Sequence, residues 1–231
     1  MKSFLRSSGE NASMSDALRD LLIVVVGILG ALWIDSWWQG VQDRQEERQI
    51  LESLRTEFIA NRDQLVQIVS ILNRSTDATE KIHRLTLAPP PNDYEIVLGE
   101  YIQSFMRTKR FDPRMGQLTS VISSGKLGLI TNTELRARIA DWPDLISDIE
   151  DNEKMIWDHT VNYVSPYLNT VASRWDKSAF ETDAAALLED RYFDNLLREN
   201  EVYILSFIRE SSDVLATTNR IIEMINSDLD T

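Results

Sequence analysis

The chain has 231 residues, room for one domain of ordinary size and an accessory segment. It is 43% hydrophobic and 26% charged, with 8 Gly and 6 Pro, which excludes a mainly disordered or collagen-like polymer. Cys is absent, so a disulfide framework, a cysteine nucleophile, an iron–sulfur cluster and Cys-ligated zinc are excluded; 24 basic against 37 acidic residues give a formal charge of −13, which repels nucleic acid as a bulk partner.

The first predicted element is an apolar helix. Leu21 to Ile34 carry no charge, and Ser36, Trp37 and Trp38 extend the low-polarity run with Asp35 as its one break. Such a run rises about 27 Å, close to the hydrocarbon thickness of a bilayer. Ser13 and Asp16 stand at capping-box spacing ahead of it and are expected to start the helix. Leu21, Val25 and Ile28 form the body of the expected membrane anchor, and Trp33, Trp37 and Trp38 place amphipathic indoles at its headgroup end. Those rings stand where a signal peptidase needs small residues, so the segment reads as an uncleaved signal anchor. Gly27 and Ala31, with Gly30 beside them, have the spacing that lets two helix backbones approach, and a carboxylate at Asp35 faces water, headgroups or a partner helix. These four are the candidate oligomer contacts. Lys2, Arg6 and Arg19 are balanced by Arg44, Arg48 and Arg55 beyond the run, which leaves the positive-inside bias weak. A short N-terminal flank, followed by 33 acidic against 21 basic residues over 40–231, points to a cytoplasmic N-terminus with the remainder exported.

Helical patterning then resumes. Ile50 or Leu51, Leu54, Phe58, Asn61, Leu65, Ile68 or Val69 and Leu72 recur at alternating steps of three and four, so the anchor is expected to continue as one long helix to about Leu87, with Gly40 as a kink point. Pro89, Pro90 and Pro91 break it, and Asn92 or Asp93 can cap the next helix, over 94–109. A turn at Phe111-Asp112-Pro113 leads into a helix over 115–124 that ends at Gly125. Thr131 or Asn132 opens another, with Glu134 in its first turn, which kinks or restarts at Trp142-Pro143 and continues to about Val171 with a second kink point at Pro166. Trp157, Tyr163, Tyr167 and Trp175 are expected in the core. Two final helices span 183–198 and 201–228, the last with Ile204 or Leu205, Ile208, Leu215, Ile222, Ile225 and Leu229 on one stripe. Strand-like alternation is absent from the sequence. The reading is an all-α chain: a flank over 1–14, an anchor over 15–38, a stalk helix over 39–88 and a helical bundle over 89–231 packed on the stalk.

Two stretches carry a family resemblance. Gly27-Ile28-Leu29-Gly30-Ala31-Leu32, Ile34 and Trp37 run into Glu47-Arg48, Leu51, Leu54, Glu57-Phe58 and Asn61; further on come Leu118-Thr119-Ser120-Val121-Ile122-Ser123-Ser124-Gly125-Lys126-Leu127, Leu129-Ile130-Thr131-Asn132 and Glu134-Leu135-Arg136. The chain resembles a group of bacterial single-pass membrane proteins that form a domain-of-unknown-function family, with Asp35 and Ser36 where the family usually has an amide-rich stretch. The resemblance implies a single-pass topology and supplies no activity.

Catalytic chemistry finds little support. Glu80 and His83 have the Glu-x-x-His spacing of di-iron bundles, but no second copy exists, so no metal site is expected. Asp158, His159 and Thr160 are adjacent and project in different directions from a helix, which gives no triad. Walker, dinucleotide, HExxH and GxSxG motifs are missing from the sequence, so no catalytic residue, cofactor or metal is assigned. Asp141, Asp144, Asp148, Glu150, Asp151, Glu153 and Asp158 form the densest acidic run, expected to be a solvated face, with a cation surface or a basic partner's docking face as its other reading. The expectation is a non-catalytic, membrane-anchored structural or assembly subunit of the bacterial inner membrane. Its expected partners are the lipid bilayer, copies of itself and a protein of unknown identity. A sensory bundle signalling in trans, or a pore subunit ringed by Asp35, are the alternatives.

Overall fold

The computed structural model describes residues 8–88, 92, 94–172 and 183–230, with side chains from Leu18 onward. The protein is all-α. Helix α1 is Ser8–Leu87, α2 Tyr94–Phe105, α3 Gly116–Ser123, α4 Thr133–His159, α5 Ser165–Val171, α6 Ala184–Glu189 and α7 Arg191–Leu229. A 3₁₀ turn, Lys126–Leu129, joins α3 to α4, and a π turn, Thr160–Val164, joins α4 to α5. Among the described residues there is no strand. The backbone is already helical at Ser8, so Ser13 and Asp16 lie inside α1 and do not start it. Lys2, Arg6, the three prolines 89–91, Asp93 and Trp175 lie outside the described residues.

The chain divides into two compact units, Met1–Ile50 and Leu51–Thr231. In the second, α1 contributes Leu51, Leu54, Phe58, Asn61, Leu65, Ile68, Leu72, Ser75, Thr79 and Ile82, at alternating steps of three and four and none more than 3% exposed. On α7 the same stepping links Leu197, Asn200, Ile204, Phe207, Ser211, Val214, Thr218, Ile221 and Ile225, all buried. Between them α4 buries Leu135, Ile139, Trp142, Ile146, Ile149 and Ile156. A 3.5-residue recurrence keeps one stripe facing the core along each helix, and three such stripes close it. Trp142 ties the layers. Its ring meets Phe58 edge-on at 5.1 Å, and its Nε1 donates to Thr218 Oγ1 at 2.9 Å. At the α2 end, Ile82, Leu98, Ile102, Leu168 and Phe193 form a second apolar cluster.

Local chemistry explains the boundaries. Gly125 adopts φ 72°, the left-handed conformation that ends α3, and its amide donates to Ile122 O at 3.1 Å. Asn132 caps α4 by accepting from Leu135 N. Helix α4 then runs through Pro143 without restarting. Pro166 follows the π turn; a proline lacks the N–H for a regular helical bond and its ring crowds the carbonyl four residues back, which a wider turn relieves.

Three further expectations are corrected. The last break falls at Asp190, which caps α7 by accepting from Tyr192 N, and the chain is helical through residues 199–201. Helix α2 ends at Phe105 rather than 109. Trp157 and Tyr163 are 58% and 55% exposed, so they are surface residues, while Tyr167 is half-buried against Tyr192 and Phe193.

Candidate functional site

Two places carry the candidate residues. The first is the apolar part of α1, long and apolar enough to cross a membrane, with none of its apolar window buried. Leu21, Val25, Ile28, Trp33, Trp37 and Trp38 are between 45% and 72% exposed. Trp37 and Trp38 form a tilted pair with centroids 6.5 Å apart. Gly27, Gly30, Ala31 and Asp35 are exposed as well, and a Cβ added at either glycine would meet nothing within 4 Å. Burial in a protein core is how a soluble fold accommodates such a stretch, and this stretch has none.

The second place lies within the Leu51–Thr231 unit, where residues 106–115 cross α1 and α4 as an irregular strap. An irregular segment against a core must satisfy its backbone polar groups by side chains. Asn61 does so on both sides, with Nδ2 donating to Arg114 O at 2.8 Å and Oδ1 accepting from Arg114 N at 2.7 Å. Gln64, with its amide nitrogen turned to the Asp112 carbonyl, pairs the same way at 2.9 and 3.0 Å. Glu57 accepts from Gln117 N at 2.8 Å and Leu118 N at 2.9 Å, so a carboxylate sits at the α3 N-terminus, where the orphan amides and the helix dipole favour it. Glu153 of α4 accepts from Phe111 N at 3.0 Å. Partial burial raises the Glu153 carboxyl above the ordinary range, opposed by that amide and by Arg110. Glu57 and Asn61 belong to the first stretch of the family resemblance and Leu118 to the second, so the structure brings the two stretches into contact.

Both histidines are engaged by neighbouring groups of the protein. His83 Nδ1 lies 3.2 Å from Asp194 Oδ1, and Arg198 Nη2 lies 2.8 Å from its Nε2. Glu80 is engaged by Arg84. His159 is 4% exposed, with Nε2 at 3.1 Å from Leu196 O and its ring between Tyr163 and Tyr203. Among the described residues no group of three or more His, Asp or Glu is arranged to hold a metal ion.

The acidic run is not one uniform face. Asp141, Asp144, Glu150 and Asp158 are exposed, while Glu153 is turned to the strap. Asp148 and Asp151 of α4 join Glu210 and Asp213 of α7 around a groove of about 390 Å³ floored by Leu145 and Val214, with Asn152 donating to Glu210 across it. The sequence pointed to Asp148 and Asp151 but not to Glu210 or Asp213, because 58 residues separate Asn152 from its partner on α7. No family model, curated protein or solved structure matches the chain.

Proposed function

We propose that the protein is a single-pass, non-catalytic structural or assembly subunit of a bacterial inner membrane. Its N-terminus would be cytoplasmic and its larger helical unit periplasmic, and it would be held with copies of itself through Gly27, Gly30, Ala31 and Asp35. The observation that carries this reading is the bare apolar surface of α1 from Leu18 to Trp38, which no other described element covers. Lipid is the solvent in which such a surface costs least, and small residues on it offer the close approach that helix association in lipid uses. The stepping from Leu51 to Leu72 adds nothing to the oligomer argument, since that stripe is buried in its own unit.

The mass of full-length protein in detergent is the test. A defined oligomer is expected, reduced to monomer by Gly27→Ile with Ala31→Ile; a monomeric wild type would refute assembly through the span. Orientation follows from a single cysteine at Thr108, which should react with a membrane-impermeant thiol reagent from the periplasmic side.

A further inference from the structure

The strap is basic in an acidic protein. Residues 106–115 carry Arg107, Lys109, Arg110 and Arg114 against the single acid Asp112, in a chain of net charge −13. All four cations are exposed, and Lys109 reaches an uncharged partner, Gln67 Oε1, at 3.3 Å. Their backbone is held at Phe111 by Glu153, at Asp112 by Gln64 and at Arg114 by Asn61. The cations therefore stand on a fixed frame, and little backbone ordering remains to oppose binding.

The strap and the acidic groove share a level of α4 but not a flank. Glu153 holds the strap and Asn152 reaches Glu210 in the groove. Consecutive residues of a helix project about 100° apart. Ile149 and Ile156, buried, point into the core between the two directions. A neighbouring copy rotated about an axis parallel to α4 can thus bring its strap level with this copy's groove.

We infer that the strap of one copy docks in the acidic groove of the next, with Arg107, Arg110 and Arg114 facing Asp148, Asp151, Glu210 and Asp213. The inference rests on the homo-oligomeric reading but uses a different surface from the span. Opposite charge on two faces of one chain lets two copies pair reciprocally, or more copies associate head to tail into a ring or a row. Two copies of net charge −13 repel through most orientations, which leaves this pairing as the favoured approach. Exposed ion pairs are individually weak, and anchoring in one bilayer supplies the effective concentration that they need.

The absence of Cys makes the test direct. Full-length chains bearing Thr108→Cys in the strap and full-length chains bearing Ser212→Cys beside Asp213 are reconstituted together in lipid vesicles and mildly oxidised. The expected product is a mixed disulfide dimer of one strap chain and one groove chain, in excess over the two like pairs. Adding Arg107→Glu and Arg114→Glu to the strap chain should lower its yield about tenfold, a change of about 1.4 kcal/mol. Asp148→Lys with Asp213→Lys in the groove chain should restore it. Cross-linking that is no greater between unlike than like chains, or that ignores charge reversal, overturns the proposal. The detergent mass of the strap-reversed protein keeps the two readings apart: assembly through the span leaves it oligomeric whether or not the strap docks.

Discussion

Asn61 gives its amide to both polar groups of one backbone residue, Arg114, and so replaces the pairing that a regular element would have supplied. Removing it by Asn61→Ala leaves a donor and an acceptor in a partly buried position, a loss of about 2 kcal/mol that urea unfolding would register. Asn61→Asp should recover part of this, because the carboxylate still accepts from Arg114 N but cannot donate to its carbonyl. Glu153 does a similar task at a cost. Its folded carboxyl is raised by burial above the ordinary value of 4.5, so its contribution to stability is fully present below that pH and is lost as pH rises through the raised value. Glu153→Gln keeps an acceptor for Phe111 N without a charge to desolvate. The variant should melt above wild type at pH 7, and the two curves should converge below about pH 4.5. A variant that melts below wild type at neutral pH would show that the ionised carboxylate is the better partner for that amide.

Elements are where sequence periodicity was informative, and where its limits show. The α1 stripe was legible to Leu72 because its members, Asn61 apart, are large and apolar. It continues to Ile82 through Ser75 and Thr79, buried polar residues that look like surface until their partners are known: Ser75 Oγ donates to Phe105 O and Thr79 Oγ1 to Ser75 O. On α7 the same effect shifted the apparent stripe, since Asn200, Ser211 and Thr218 occupy core positions while Leu215 is only half-buried. The break expected between residues 198 and 201 falls in a polar run, and the buried stepping through Leu197, Asn200 and Ile204 carries the helix across it. The true break uses Asp190, which caps α7 and also accepts from the Tyr167 hydroxyl. That hydroxyl is the first cause holding the Asp190 carboxyl below its usual range, while burial and then Asp190 itself push Tyr167 upward. A depressed carboxyl stabilises above its unfolded value and loses that contribution as pH falls through the folded one. Tyr167→Phe should therefore lower the melting temperature at pH 7 and make the acid limb of the stability curve shallower than in wild type. At the other end of the chain's turns, Gly125→Ala forces a Cβ into the left-handed region at φ 72°, and should cost about 1 kcal/mol in thermal unfolding.

At the scale of the whole molecule, the long apolar helix near the N-terminus was legible, since a charge-free apolar run needs no tertiary information to be recognised. The strap and groove were not, because each is assembled from residues brought together across 42 to 60 positions of sequence. The anchor reading has its own decisive variant. Val25 lies near the middle of the apolar run and is 45% exposed, so an arginine there would meet the hydrocarbon rather than a protein partner. A central arginine costs a membrane helix about 2.5–3.5 kcal/mol on the insertion scale, against a small gain for valine. Val25→Arg should move a substantial fraction of the protein from the membrane to the soluble fraction after alkaline carbonate extraction, without changing the circular dichroism of the Leu51–Thr231 unit, whose core contains none of these residues. Asp35→Asn should leave the partition unchanged, because a carboxylate beside Trp37 and Trp38 at the end of the run reaches headgroups or water without crossing the bilayer. Wild-type protein that carbonate removes from the membrane would instead mean that the bare surface of α1 is covered by another protein, and assembly would then have to be sought there rather than in lipid.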